Sequence, residues 1–95
     1  MLTTAIRSEL ENIAAEAHTE KCGVIFNGRL IELPNVHDHP ENHFMISHCD
    51  AIHYMGRDVI LWHTHPRHCF PQLTAEDIRA AKFWGKPIAM MHQDK

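Results

Sequence analysis

The passage from Asp58 to Trp84 constrains this chain more than any other. Asp58-Val59-Ile60-Leu61-Trp62 is a short apolar run with β-branched members, the mark of a buried strand, and His63-Thr64-His65-Pro66 follows it directly. Residues two apart on a strand point to the same face, so His63 and His65 leave its end side by side. Pro66 has no amide proton to give to a ladder, and the chain must turn away there. Phe70-Pro71-Gln72-Leu73 reads as a loop, and Thr74 stands where a helix N-cap belongs. Ala75 to Trp84 is helix-like, with Ile78, Ala81 and Trp84 on one face and Gly85 and Pro87 as the stop. Asp77 falls at the third helical position, near the positive end of the macrodipole, where a carboxylate is favoured. Thr-x-x-Asp alone marks only a helix start; attached to a His-x-His strand end it reads as a ligand. Two imidazoles and a carboxylate are a set with which zinc is held in hydrolytic sites, water taking the fourth position.

The remaining elements surround that unit. Thr3 to His18 is expected to be a helix, with Ile6, Leu10, Ile13 and Ala17 at three-to-four spacing. Gly23 to Phe26 and Arg29 to Leu33 are expected strands joined by Asn27-Gly28, a strong hairpin signal. His43 to Ser47 is expected to be a third strand, Cys49 to Met55 a short helix ended by Gly56, Asp58 to His63 the strand of the motif, and Pro87 to His92 a last strand. Hairpin strands combined with a β-loop-α-β unit imply an α/β (α+β) domain, a mixed sheet with helices against its faces. A second copy of the chain would cover an exposed sheet edge, so a homodimer is one expected assembly.

Composition narrows the classes. Ninety-five residues suffice for one domain with a single core. The net charge of -3, without a basic cluster, argues against nucleic acid as partner. No apolar run reaches membrane-spanning length, and the amphipathic N-terminus does not read as a signal peptide. Cys22, Cys49 and Cys69 lack metal-type pair spacing and are expected as reduced thiols in a cytoplasmic setting. Cys22 reads as a small core residue rather than a nucleophile, and Cys69 as a stray ligand at most. Ten histidines is the oddest count. Most are expected to be ordinary surface residues, with His37, His39 and His68 able to line a rim and take up adventitious metal.

His-Thr-His-Pro, then Thr-x-x-Asp, with Glu20 far upstream in Glu20-Lys21-Cys22-Gly23-Val24-Ile25-Phe26, resembles the JAMM (MPN+) zinc metallopeptidases. These include deubiquitinating isopeptidases and a phage tail-assembly branch. The Glu-x-Cys-Gly start, and the Asn, Pro and Phe within Asn35 to Ile46, look like the prokaryotic and phage members. The resemblance spans Glu20 to His92. It implies a deaminase-like sandwich, Zn2+ held by His63, His65 and Asp77, Glu20 as the acid/base, and Thr74 in place of the family's usual Ser as an oxyanion donor. The implied reaction is hydrolysis of a peptide or isopeptide bond in a protein substrate, with phage tail or assembly proteins as further partners. Host cytoplasm or virion is the implied location. Family members usually continue beyond the position of His92, so a minimal or truncated domain is expected.

Two alternatives stay open within the sequence. Eleven residues separate His65 from Asp77, one more than the family spacing, which Glu76 satisfies instead. His37-Asp38-His39-Pro40 with Ser47-His48-Cys49-Asp50 also matches the spacing. It lacks a strand leading into His37, and only seventeen positions separate it from Glu20. Among rival functions, a non-catalytic assembly module would keep the fold and metal without turnover. A metal buffer would explain the histidines but not the strand–loop–helix order. A nucleobase deaminase would need His-x-Glu together with Pro-Cys-x-x-Cys, and the Pro-Cys-x-x-Cys half does not occur here.

Overall fold

A computed structural model describes residues 2–69 and 72–93. The element order is α1 (Thr4–Glu16), β1 (Cys22–Phe26), β2 (Arg29–Leu33), α2 (His48–Met55), β3 (Ile60–His65), α3 (Ala75–Trp84) and β4 (Ile88–His92). The four strands form one mixed sheet in the order β2-β1-β3-β4. β1 is antiparallel to both β2 and β3, and β3 runs parallel to β4 through the crossover helix α3. The α/β class expected from the sequence is the class observed. None of the described helices is long and apolar enough to cross a membrane.

Local chemistry sets most boundaries. The Thr3 hydroxyl accepts from the Ile6 amide at 3.1 Å and starts α1. That helix stops at Glu16, short of the expected His18, because Ala17 turns to extended backbone and is itself buried. Asn27 and Gly28 both have positive φ, 52° and 72°, as a two-residue type I′ turn requires, and they lock Phe26 opposite Arg29. Ser47 caps α2 through the Asp50 amide.

Three strand expectations need correction. No strand forms over His43 to Ser47; Ile46 makes a single bridge to Asn35. The cause is the Asn35 side chain, whose Nδ2 donates to the His43 carbonyl at 2.9 Å while its Oδ1 accepts from the Met45 amide at 3.0 Å. One amide group thus occupies backbone positions that a ladder would use. β3 lies two residues later than expected, because it pairs with β4 as far as His65 opposite His92. Pro87 lends β3 only its carbonyl, accepting from the Leu61 amide at 2.9 Å, so β4 begins at Ile88. Phe70 and Pro71 of the expected loop lie outside the described residues.

The alternation of β3 divides the core. Trp62 faces α1 and packs with Ile6, Leu10 and Ile25. Leu61 faces the other side, joining Val24, Leu33 and Val59 beneath Tyr54 of α2 and Trp84 of α3. On α3 the expected apolar face is only partly used: Trp84 packs, whereas Ile78 is 46% exposed. The Trp62 indole N–H is shared between the Val24 and Ile31 carbonyls, both at 3.2 Å, directly over Gly23. A Cβ at Gly23 would sit 2.8 Å from Trp62 Nε1 and collide with the Ile31 carbonyl oxygen, a backbone atom that cannot swing away. Gly23→Ala is therefore expected to cost roughly 2–3 kcal/mol and lower Tm by about 10–20 °C. An unchanged thermal melt would show that the sheet yields at this point.

Candidate metal centre

His63 and His65, on the same face of β3, are 0% and 1% exposed. Their Nε2 atoms are 3.1 Å apart. Asp77 reaches both from the first turn of α3, with Oδ1 3.2 Å from His63 and Oδ2 3.2 Å from His65. The helix start explains its reach. Thr74 Oγ1 accepts from the Asp77 amide at 3.2 Å, and Asp77 Oδ2 accepts from the Thr74 amide at 2.9 Å, a reciprocal capping box. An N3 side chain in that motif folds back over the helix end, whereas N2 points outward. Glu76, at N2, accordingly faces His43 at the surface, and the carboxylate beside His63 and His65 is that of Asp77.

Glu20 completes the cluster from the stretch just before β1, the strand beside β3. Cys22 pairs with His63 in the antiparallel register, so two residues earlier the chain brings Glu20 level with His65. Its Oε1 lies 3.9 Å from His65 Nε2 and is buried without a hydrogen-bond partner. The backbone there is held on several sides. Thr64 exchanges two hydrogen bonds with Lys21, Pro40 accepts from the Glu20 amide at 2.6 Å, and Asn35 Nδ2 donates to the Glu20 carbonyl at 2.7 Å. Phe44 stacks on the His63 ring, centroids 4.6 Å apart, and covers it. Thr64 had no sequence signal beyond its place between the two histidines. Asn35 and Phe44 entered only through the family resemblance, with no role assigned.

Burial and the closeness of these groups shift their ionisation. Burial pushes the Glu20 carboxyl up to about 8; His65 opposes this, while Asp77 and Glu76 add to it. Burial also drives the His63 pKa down, against the pull of Asp77. For Asp77, burial acts upward but is outweighed by the two imidazoles and the Thr74 amide, which hold it far below the usual carboxylate range. His63 Nδ1 makes no hydrogen bond of good geometry, although the Ala89 backbone is near enough to favour its protonated form. Burial pushes the Cys22 thiol up to about 12, so it stays protonated and packs as a core residue.

With Asp77 ionised, no placement of protons on the two Nε2 atoms satisfies this arrangement. If both Nε2 atoms carry hydrogen toward Asp77, two N–H groups face each other at 3.1 Å. If one does not, its lone pair faces a carboxylate lone pair at 3.2 Å. A cation at the centre satisfies all three contacts. The 3.1 Å between the two Nε2 atoms is close to the roughly 3.3 Å between donor atoms of a tetrahedral site with ~2.0–2.1 Å bonds, and Asp77 offers a different oxygen to each ring at 3.2 Å. Glu20, His63, His65 and Asp77 can therefore hold a metal ion.

The other sequence candidates are placed elsewhere. Among the described residues, His37 and His39 do not gather with Asp50; Asp50 pairs with Ser47 at the start of α2. Cys69 Sγ points to the Glu41 carbonyl at 3.6 Å and is not in the buried cluster. No family model matches the chain, and no curated protein matches it.

Proposed function

We propose that this chain is a zinc-dependent metallopeptidase of JAMM type, hydrolysing a peptide or isopeptide bond. The observation that carries the reading is the buried triangle of His63, His65 and Asp77 with an unpartnered Glu20 oxygen beside it. Two histidines, a carboxylate and an adjacent second carboxylate are the donor chemistry of hydrolytic zinc sites. Zinc bound there would lower the pKa of a coordinated water toward ~7 and polarise the substrate carbonyl.

The chain's own residues supply the rest. Glu20 takes the proton of the attacking water and delivers it to the leaving amine, both within one buried pocket. Its carboxyl, pushed up to about 8 by burial, ionises when a cation neutralises its surroundings. Thr74 lines the same cavity of about 250 Å³ with Glu20, Asn42, His43 and Phe44. Its hydroxyl oxygen accepts from the Asp77 amide, which leaves the hydroxyl proton available to an oxyanion. Asn35 and Thr64 hold Glu20 against β3, and Phe44 limits water at His63.

The test is a mixture of peptides and isopeptide-linked conjugates incubated with zinc-loaded chain, products being mapped by mass spectrometry. Cleavage that chelator stops and zinc restores is the expected result. A chain that binds zinc at His63, His65 and Asp77 but cleaves nothing would instead be an assembly module on the same fold.

A further inference from the structure

Three further titratable side chains converge just outside the pocket. His37 and His43 lie on the segment between β2 and α2, and Glu76 lies on the first turn of α3. Their ligand atoms are all within 4.8 Å of one another. The His37 and His43 rings stack at 4.8 Å, and His43 Nδ1 is 3.0 Å from a Glu76 carboxylate oxygen. His43 and Glu76 also line the cavity that has Glu20 and Asp77 deeper within it.

We propose that His37, His43 and Glu76 form a second, exchangeable site for a zinc-class divalent cation at the mouth of that cavity. Two imidazoles and a carboxylate suit Zn2+, Cu2+ or Ni2+, and do not suit Ca2+ or Mg2+, which take oxygen ligands. The proton shared by His43 and Glu76 is what the cation displaces. His37 now accepts from the His39 amide through Nδ1 at 2.9 Å. Coordination through either ring nitrogen gives up that exposed bond, a cost of about 0.5–1.5 kcal/mol. His43 and Glu76 are already 3.0 Å apart, so the approach to about 3.3 Å that a tetrahedral site requires falls to the loop carrying His37, whose ligand atom lies within 4.8 Å of both. The side chains of His43 and Glu76 are 39% and 46% exposed, so this site is weaker and faster to exchange than the buried one. A cation held here ties the loop to α3 and narrows the entrance.

Titration of the metal-stripped chain with Zn2+ against a chromophoric chelator, with native mass spectrometry for stoichiometry, tests this. The wild type is expected to bind about two Zn2+, and His43→Ala and Glu76→Gln to lose the weaker, by at least roughly tenfold in affinity. His48→Ala/His53→Ala, which alters surface histidines of α2, is expected to retain both. Unchanged binding in His43→Ala and Glu76→Gln, or loss only in the α2 control, would overturn the proposal. The outcome is separable from the peptidase reading. A wild type that binds a single Zn2+, lost in His43→Ala, keeps this site and removes the buried one. A single Zn2+ that survives His43→Ala does the reverse.

Discussion

Zinc added to the metal-stripped chain is expected to raise its Tm by roughly 15–30 °C. A ligand present at a thousand times its Kd stabilises the folded state by about 4 kcal/mol, and a domain of this size gains about 4–8 °C per kcal/mol. The gain is large here because the site exists only in the folded chain: its donors come from β3, from α3 and from the stretch before β1. It also removes the clash among the His63, His65 and Asp77 donor atoms. His63→Ala/His65→Ala should show none of this large shift. Asp77→Asn is the gentler control, since an Asn carbonyl can still accept from the Thr74 amide and keep α3 capped. It should lose at least half of the shift while melting cooperatively. Equal zinc shifts in wild type and Asp77→Asn by differential scanning calorimetry would place the stabilising ion elsewhere.

Glu20→Gln separates chemistry from binding. In the zinc-loaded chain it is expected to lower kcat by about 10²–10⁴-fold while zinc content is retained, the signature of a lost acid/base. In the metal-free chain the same change should be stabilising. The folded carboxyl has a pKa of about 8 against 4.5 for the free group, so between those values the folded state binds more protons than the unfolded state. Stability from this group is then complete below pH 4.5 and is lost as pH rises through 8. A neutral amide at this position has no proton to lose and escapes that decline. The metal-free variant should exceed wild type by ~2–3 kcal/mol, about 10–20 °C in Tm, at pH 8, and by little at pH 5. The depressed His63 pKa acts in the opposite direction below its ordinary value of 6.5, but it is common to both chains and drops out of the difference. A difference independent of pH would mean that Glu20 is ionised in the metal-free fold.

What the sequence disclosed followed from local rules. The hairpin turn, the Thr74 cap, the α3 boundaries and the shared face of His63 and His65 each depend on residues within a few positions of one another. The choice between Asp77 and Glu76 was equally local, because N2 and N3 differ in direction, but family spacing obscured it. Long-range substitutions for regular structure were not legible. Asn35 replaces strand pairing with its own amide, and nothing in the residues His43 to Ser47, which have strand character, announces that. The end of β3 was missed for a related reason. Pro66 sets an outer limit, but the partner that carries pairing to His65 is β4, well downstream. The meeting of His37 with Glu76 likewise depends on how the loop returns across α3.

The strand order carries a kinetic consequence. β1 and β2 close through a two-residue turn, whereas Lys21 and Thr64, whose bonds extend the β1–β3 junction toward Glu20, lie 43 positions apart. Local pairs form first and distant ones must wait for loop closure, so the Glu20–His65 junction belongs to the last part of the folding reaction. Interactions absent from the transition state leave the folding rate nearly alone and slow escape from the native basin. Metal at this junction would act as a latch on unfolding: the chain would fold at its own pace and, once loaded, stay folded far longer.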